Sequence, residues 1–301
     1  MTKIQHIPVL LEEVLTYLQP EPPARRSLGE GGNQVFIDGT VGQGGHASAI
    51  AERILPGGRL LAIDRDPVNL AIARERMTNF GDAIVYVNDT YANVTELARE
   101  HDFNRANGML LDLGYSSLHI EDASRGFSFM KEGPLDMRYD PTSEVTAADI
   151  VHEWSEESLA KIFRIYGEEV RAAEIARVIV ESRRHTVIDT TTDLANLVTT
   201  VVHQHGPIHP ATKVFQALRI AVNDELGELE RALPQCVDVL TNGGRLGIIT
   251  FHSLEDRIVK QFFKSYPGLE IVTKRPVAPS REEIKANPRS RSAKLRVAIK
   301  T

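Results

Sequence analysis

Four strand-length apolar segments, Val35 to Asp38, Arg59 to Asp64, Ala83 to Val87 and Met109 to Leu113, alternate with helical periodicity over 46–55, 67–77 and 91–100. Such alternation predicts an α/β fold built on a parallel sheet that is covered by helices on both faces. The alternation then stops. The next strand pattern, Arg245 to Thr250, follows Asn242-Gly243-Gly244, so about 130 residues stand where a crossover needs a dozen or so. Within that interval Leu159, Ile162, Phe163, Tyr166, Val170, Ile175, Val178 and Ile179 recur at three-to-four spacing, which predicts helices across 144–205. One amphipathic helix from Ala211 to Leu233 is expected to return the chain to the sheet, which Leu269 to Thr273 and Leu295 to Ile299 close as its sixth and seventh strands. The domain reading is therefore 1–117 with 209–301 for the sheet, and 118–208 for a helical insertion. A short helix over Val9 to Leu18, stopped by Pro20, and an exposed loop from Pro20 to Gln34 precede the first strand.

At 42% hydrophobic and 25% charged over 301 residues, the composition is that of a globular protein and excludes wholesale disorder. Apolar runs are strand-sized, far below the roughly 20 residues of a membrane span. Glu12 and Glu13 interrupt the first hydrophobic segment before it reaches signal-peptide length, and a single cysteine, Cys236, allows neither an internal disulfide nor a thiolate metal cluster. A cytoplasmic protein is expected. The net charge of −6 gives no global sign of a polyanion partner, yet nine basic residues stand against Glu282 and Glu283 between Lys274 and Lys300.

The first strand runs into Asp38-Gly39-Thr40-Val41-Gly42-Gln43-Gly44-Gly45-His46, and a helical pattern begins at once. Glycines there let the backbone approach a ligand, and free amides at a helix start attract negative charge. Asp64, at the end of the second strand, lies close to the spacing at which a carboxylate reaches a ribose hydroxyl. Together they indicate an adenosine-containing ligand. The loop departs from G-x-G-x-x-G and carries Asp38, which would repel a pyrophosphate but suits an ammonium group. Asp89 and Asp112 end the third and fourth strands, and Tyr91 could pack on adenine. Carboxylates at successive strand tips suit a cationic ligand such as S-adenosylmethionine, and turn formation or helix capping is the competing role for Asp89 and Asp112.

Nine motifs in order, HIPVLLEE (His6 to Glu13), DGTVGQGGH (Asp38 to His46), AIDRDP (Ala62 to Pro67), LDLGYSS (Leu111 to Ser117), RGFSFM (Arg125 to Met130), GPLDMR (Gly133 to Arg138), FQALRIAVNDEL (Phe215 to Leu226), FHSLEDRIVK (Phe251 to Lys260) and NPRSR (Asn287 to Arg291), strongly resemble the bacterial ribosomal RNA small subunit methyltransferase H family, also called MraW. The resemblance implies a class I, Rossmann-like S-adenosylmethionine-dependent methyltransferase with a mostly parallel seven-stranded sheet and an inserted helical domain. It implies methylation of the exocyclic N4 of one cytidine in the decoding region of 16S ribosomal RNA, with that RNA or the small subunit as partner. By motif, Gly44, Gly45 and His46 would meet the methionine end of the cofactor, Asp64 the ribose, Tyr91 the adenine, and Asp112 the reacting centre. Where the family has Ser-Ser-Pro-Gln this chain has Ser116-Ser117-Leu118-His119, so the glutamine's cofactor contact would pass to His119.

Cytosine N4 is a poor nucleophile because its lone pair is delocalised into the ring. An acceptor for its N–H groups orients the amine, and Asp112 is the expected catalytic residue in that role. Tyr115, three residues on, would stack on the base or else belong to the core. Arg125, Phe127, Phe129 and Arg138 in a Gly/Pro-rich segment, with Lys213, Arg219, His252 and the basic C-terminal stretch, are candidate RNA contacts. For Phe127 and Phe129 the competing role is packing within a loop. His203, His205 and His209 lack a carboxylate or cysteine to complete a metal set, so no metal is expected. A nicotinamide-dependent oxidoreductase shares the glycine loop and the acid, and a non-catalytic RNA-binding assembly factor shares the basic segments. The sequence leaves oligomeric state open, a homodimer included.

Overall fold

The computed structural model describes residues 8–20, 33–203 and 208–301. His6, Ile7, His205 and most of the Pro20 to Gln34 loop lie outside them. The chain divides into two compact units, one running to Gly114 and resuming at Leu226–Thr301, the other Tyr115–Glu225.

In the first unit seven strands, β1 (Val35–Asp38), β2 (Arg59–Ile63), β3 (Ile84–Val87), β4 (Ala106–Asp112), β5 (Leu240–Thr250), β6 (Leu269–Ile271) and β7 (Lys294–Lys300), form one sheet in the order β3-β2-β1-β4-β5-β7-β6. The pairs among β1 to β5 are parallel, and β7 runs antiparallel to both β5 and β6. The mostly parallel seven-stranded sheet expected from the sequence is present. Its strands read as nearly continuous apolar runs because both faces are covered. Ile37, Leu61, Met109 and Leu111 point into one apolar layer, with α4 (Val94–Glu100), α11 (Glu225–Asp238) and α12 (Ser253–Ser265), and Cys236 is buried there. Phe36, Leu60, Ala62 and Leu110 point into the other, with α1 (Leu11–Leu18), α2 (Gly45–Ile54) and α3 (Pro67–Arg76). Alternate residues of each strand thus serve opposite layers, the period of two that a pleated strand imposes. A short helix, α13 (Arg281–Ala286), lies between β6 and β7 in the chain.

The second unit is helical: α5 (Ser117–Glu121), α6 (Ala147–Glu153), α7 (Glu156–Ile165), α8 (Ala172–Ser182), α9 (Thr191–Val201) and α10 (Thr212–Asn223). Its core joins Ile150, Leu159, Phe163, Ile175, Ile179, Leu194 and Val198 to Val214, Phe215 and Leu218 of α10. Two expectations change here. The helix anticipated over Ala211 to Leu233 is two helices, α10 and α11, separated by Asp224 in the left-handed conformation (φ 47°). Because α10 packs into the helical core, the insertion extends to Glu225 rather than ending at 208. The break is held by Asn223, whose Nδ2 donates to the carbonyls of Met137 and Arg219 and whose Oδ1 accepts from the Tyr139 N–H. No helix among the described residues is long and apolar enough to cross a membrane.

Candidate active site

From β1 the chain moves outward to β2 and β3 on one side, and from β4 to β5 on the other. The crevice beyond the carboxyl ends of β1 and β4 is therefore the topological switch point of the sheet, where open α/β folds bind ligands. Three of the sequence-predicted acids end strands at or next to it. Asp38 ends β1, is buried, and accepts the Thr40 N–H at 3.1 Å. Asp64 follows β2 and accepts two backbone N–H groups, Gly42 at 2.7 Å and Asp66 at 2.8 Å. Asp112 ends β4. Its own N–H donates to Thr40 Oγ1 at 2.6 Å and its Oδ2 lies 3.5 Å from His46 Nδ1. Its Oδ1 is buried with no hydrogen-bond partner among the described residues.

The electrostatics follow from that placement. Burial pushes the Asp38 carboxyl up to about 7, against the pull of the Thr40 N–H and with a further rise from Asp64. Asp64 is raised to about 6 by burial, moderated by the N–H groups of Asp66 and Gly42. Burial first, then the charges of Asp38 and Glu255, hold Asp112 well above the ordinary carboxylate range. Among the described residues no lysine or arginine is paired with any of the three. Clustered, desolvated acids of this kind fit a ligand bearing positive charge and would oppose a pyrophosphate.

The glycine loop supplies the complementary surface. Gly44 adopts φ 78° at the N-cap of α2 and, as a glycine, brings no capping side chain of its own, so the helix start presents backbone to an approaching carboxylate. Gly39 is tightly enclosed: a Cβ would stand 2.5 Å from Leu111 Cδ2 and 3.1 Å from Tyr91 Cβ. Tyr91 opens a short 3₁₀ turn after β3 and is half-buried against the sheet core. The donor set therefore fits S-adenosylmethionine: amides for its carboxylate and acids for its ammonium, ribose and sulfonium. Glu255 is the residue the sequence reading passed over. Buried in the first turn of α12, it accepts the N–H of Phe251 at 2.8 Å and raises Asp112. Its only signal was the capping-box spacing from His252.

Most of the expected RNA contacts have other structural roles. Arg125 donates to the carbonyls of Arg138 and Tyr139, and Arg138 makes a bidentate pair with Asp136 and bonds the Ser143 carbonyl. Phe127 is buried, stacked at 5.4 Å on Tyr139 and 4.7 Å from His119. Arg219 is buried against Glu225 with bonds of 2.8 and 2.9 Å, and its guanidinium lies 4.9 Å from the Tyr115 ring centre. His252, largely buried, caps α12. Of Arg125, Phe127, Arg138, Arg219, His252 and Lys213, only Lys213 keeps about half its side chain in solvent (46%), while bonding the Glu168 carbonyl; in the basic C-terminal stretch Lys274, Arg275, Arg281, Lys285 and Arg291 are exposed as well. His119 is buried: its ring packs on Phe127 and Tyr139, and its Nδ1 accepts the Ser116 N–H at 3.0 Å. Phe129 packs on Phe215 and His209. Tyr115, by contrast, is 45% exposed.

The family model described as the MraW methylase family matches residues 3–301. Curated proteins named ribosomal RNA small subunit methyltransferase H are similar over nearly all of the chain. The Thermomicrobium roseum protein is 47% identical over 97% of this chain and 93% of its own. Those of Dehalococcoides mccartyi and Heliobacterium mobile are 44% and 43% identical, each over 99% of this chain and over 87% and 99% of their own. With the match running almost end to end, this chain belongs to the MraW methylase family of S-adenosylmethionine-dependent methyltransferases.

Proposed function

We propose that this protein transfers a methyl group from S-adenosylmethionine to the exocyclic N4 of a specific cytidine in the 16S ribosomal RNA of the small subunit. The observation that carries the reading is Asp112, a strand-tip carboxylate at the sheet's switch point with one oxygen buried and without a hydrogen-bond partner among the described residues. Bound at the crevice, S-adenosylmethionine supplies a methyl group activated by a sulfonium. The chain's own residues do the rest. The start of α2 at Gly44, Gly45 and His46 would hold a carboxylate, Asp38 would balance an ammonium, Asp64 would accept from ribose hydroxyls, and Tyr91 would cover the adenine. Asp112 accepts an N–H of the target amine, which fixes its orientation and helps localise the lone pair toward the methyl carbon. Phosphate contacts fall to Lys213 and to the exposed cations Lys274, Arg275, Arg281, Lys285 and Arg291. Among the described residues these five have no ion-pair partner. They are carried on an anchored excursion, because Val277 bridges to Leu295 and the Thr273 hydroxyl accepts the Val297 N–H.

Family membership sets aside the oxidoreductase and non-catalytic alternatives. The test is mass spectrometry of 16S ribosomal RNA from cells lacking this gene, with and without a plasmid copy. Loss of N4-methylcytidine, restored by the wild-type copy and not by Asp112→Asn, is expected. Retention of the mark at full level in the deletion would overturn the assignment.

A further inference from the structure

Of the motif HIPVLLEE, the described residues Pro8, Val9 and Leu10 lie against the start of α2. The Pro8 ring packs so closely on Gly45 that a Cβ on the glycine would stand 2.5 Å from Pro8 Cγ. One residue on, the Val9 carbonyl accepts a hydrogen bond from His46 Nε2 at 2.8 Å. Leu10 then turns the chain into α1 with φ 55°, a left-handed conformation that disfavours any residue bearing a Cβ. Its side chain is fully buried, and no side chain caps α1 from this position.

What holds that turn comes from the far end of the sequence. The Leu10 N–H donates to Glu283 Oε1 at 2.8 Å, across 273 residues, a part usually played by a glutamate three residues on. Glu283 lies within α13, in the basic excursion between β6 and β7, and is itself well placed. Its N–H donates to the Ser280 hydroxyl at 3.0 Å. On one side of α13 Val277 bridges to Leu295, and on the other Ala293 is buried in the apolar layer that also holds Val9, Leu10 and Ala47.

We propose that Glu283 is a positioning residue for the cofactor. Through Leu10 it holds Pro8 and Val9 against Gly45 and His46, and so sets where the first turn of α2 stands relative to the strand tips. This rests on the reading above that Gly44, Gly45 and His46 meet the methionine end of S-adenosylmethionine. Backbone groups that meet a carboxylate at about 2.9 Å lose much of the bond when they move by several tenths of an ångström. Glu283 acts on the ligand only through this segment, and the methionine end takes no part in bond making, so the effect falls on binding and leaves the chemical step alone.

The test joins ligand binding to a double-mutant cycle in the full-length protein. Calorimetry should show Glu283→Ala binding S-adenosylmethionine about tenfold more weakly than wild type. Glu283→Gln, whose side-chain oxygen can still accept the Leu10 N–H, should stay within about twofold. At saturating S-adenosylmethionine the single-turnover methylation rate of Glu283→Ala should remain within about threefold of wild type, a loss of binding without a loss of chemistry. Pro8→Ala releases the other end of the same segment. Alone it should also weaken binding, but added to Glu283→Ala it should contribute less than about half of its separate free-energy effect, whereas independent residues would add in full. Wild-type affinity in Glu283→Ala, equal weakening in both Glu283 variants, or full additivity with Pro8→Ala would overturn the positioning role. Amide NMR of the wild type tests the underlying reading separately. If the Gly44, Gly45 and His46 N–H signals stay in place when S-adenosylmethionine binds, the placement of the methionine end is overturned instead.

Discussion

In the helical unit Arg219 is buried against Glu225 through two bonds of 2.8 and 2.9 Å, and the Tyr139 hydroxyl adds a third to the same carboxylate at 2.9 Å. At the strand tips of the sheet unit, Asp38, Asp64 and Asp112 are also withdrawn from water, but their neighbours are acids, backbone N–H groups, Asn69 beside Asp64 and the His46 ring beside Asp112, rather than an arginine or lysine. A guanidinium beside the carboxylate keeps Arg219 firmly charged, its affinity for the proton raised despite burial. The strand-tip acids move the other way, toward neutrality. Buried charge that is fully paired holds a fold together and has nothing left to offer a ligand. Buried charge that is not fully paired is costly to the fold, and is kept where a ligand will complete it.

Asp112→Asn bears on that contrast most directly. It removes the carboxylate while keeping the shape, so single-turnover methylation should fall about 10²- to 10⁴-fold. The ligand-free variant should unfold at the same denaturant concentration as wild type or higher, because an unsatisfied acid has gone. A variant that loses both activity and stability would make Asp112 a structural residue. Arg219→Ala should do the reverse. Leaving Glu225 buried without its partner should cost about 3–5 kcal/mol in chemical denaturation. Arg219→Met with Glu225→Leu should recover most of that loss, which a role in RNA contact would not predict.

The sequence disclosed one of these regions far better than the other. Strand tips are legible because a parallel strand has a short apolar signature with an abrupt polar end, so Asp38, Asp64 and Asp112 announce themselves by position. The glycine loop is legible for the same local reason. The roles of arginines are not, since a guanidinium reads the same whether it faces phosphate or a carboxylate supplied by the fold. Arg138 is matched by Asp136 and Arg125 by carbonyls thirteen and fourteen residues away, and only the folded chain discloses it. The α10–α11 break was hidden because both helices keep the same apolar period and Asp224 is neither glycine nor proline. Glu255 looked like an ordinary capping residue, which it also is.

A smaller effect tests the strand tips through pH. Asp38 and Asp64 are raised from ordinary carboxylate values to about 7 and about 6 in the folded protein. Between pH 4 and 7 the folded state therefore binds more protons than the unfolded one, so the stability these groups contribute is complete below about pH 4 and is lost as pH rises through 6 to 7. A cationic ligand restores it by favouring the ionised forms. The affinity for S-adenosylmethionine should accordingly increase from pH 5.5 to 7.5, by up to about tenfold per pH unit for each proton released. Calorimetry in buffers of different ionisation enthalpy reads that release directly, and pH-independent affinity would remove the charge argument for the crevice.

The smallest effect calibrates the others. Arg99 and Glu96 form a pair of the same chemical type as Arg219 and Glu225, but at 4.0 Å with 75% and 72% of the side chains in solvent. Water screens both charges in either state, and holding two long side chains together costs rotamer entropy, so a pair like this contributes about 0–0.5 kcal/mol. Arg99→Ala should shift the denaturation midpoint by no more than that, and the shift should vanish in high salt. Burial and bidentate geometry, rather than the opposition of charges, then account for the gap between this pair and the Arg219 pair. An Arg99→Ala loss above about 1 kcal/mol would mean that surface charge also shapes this fold, and the division between architectural and functional charge drawn from Arg219 and Asp112 would have to be redrawn on something other than burial.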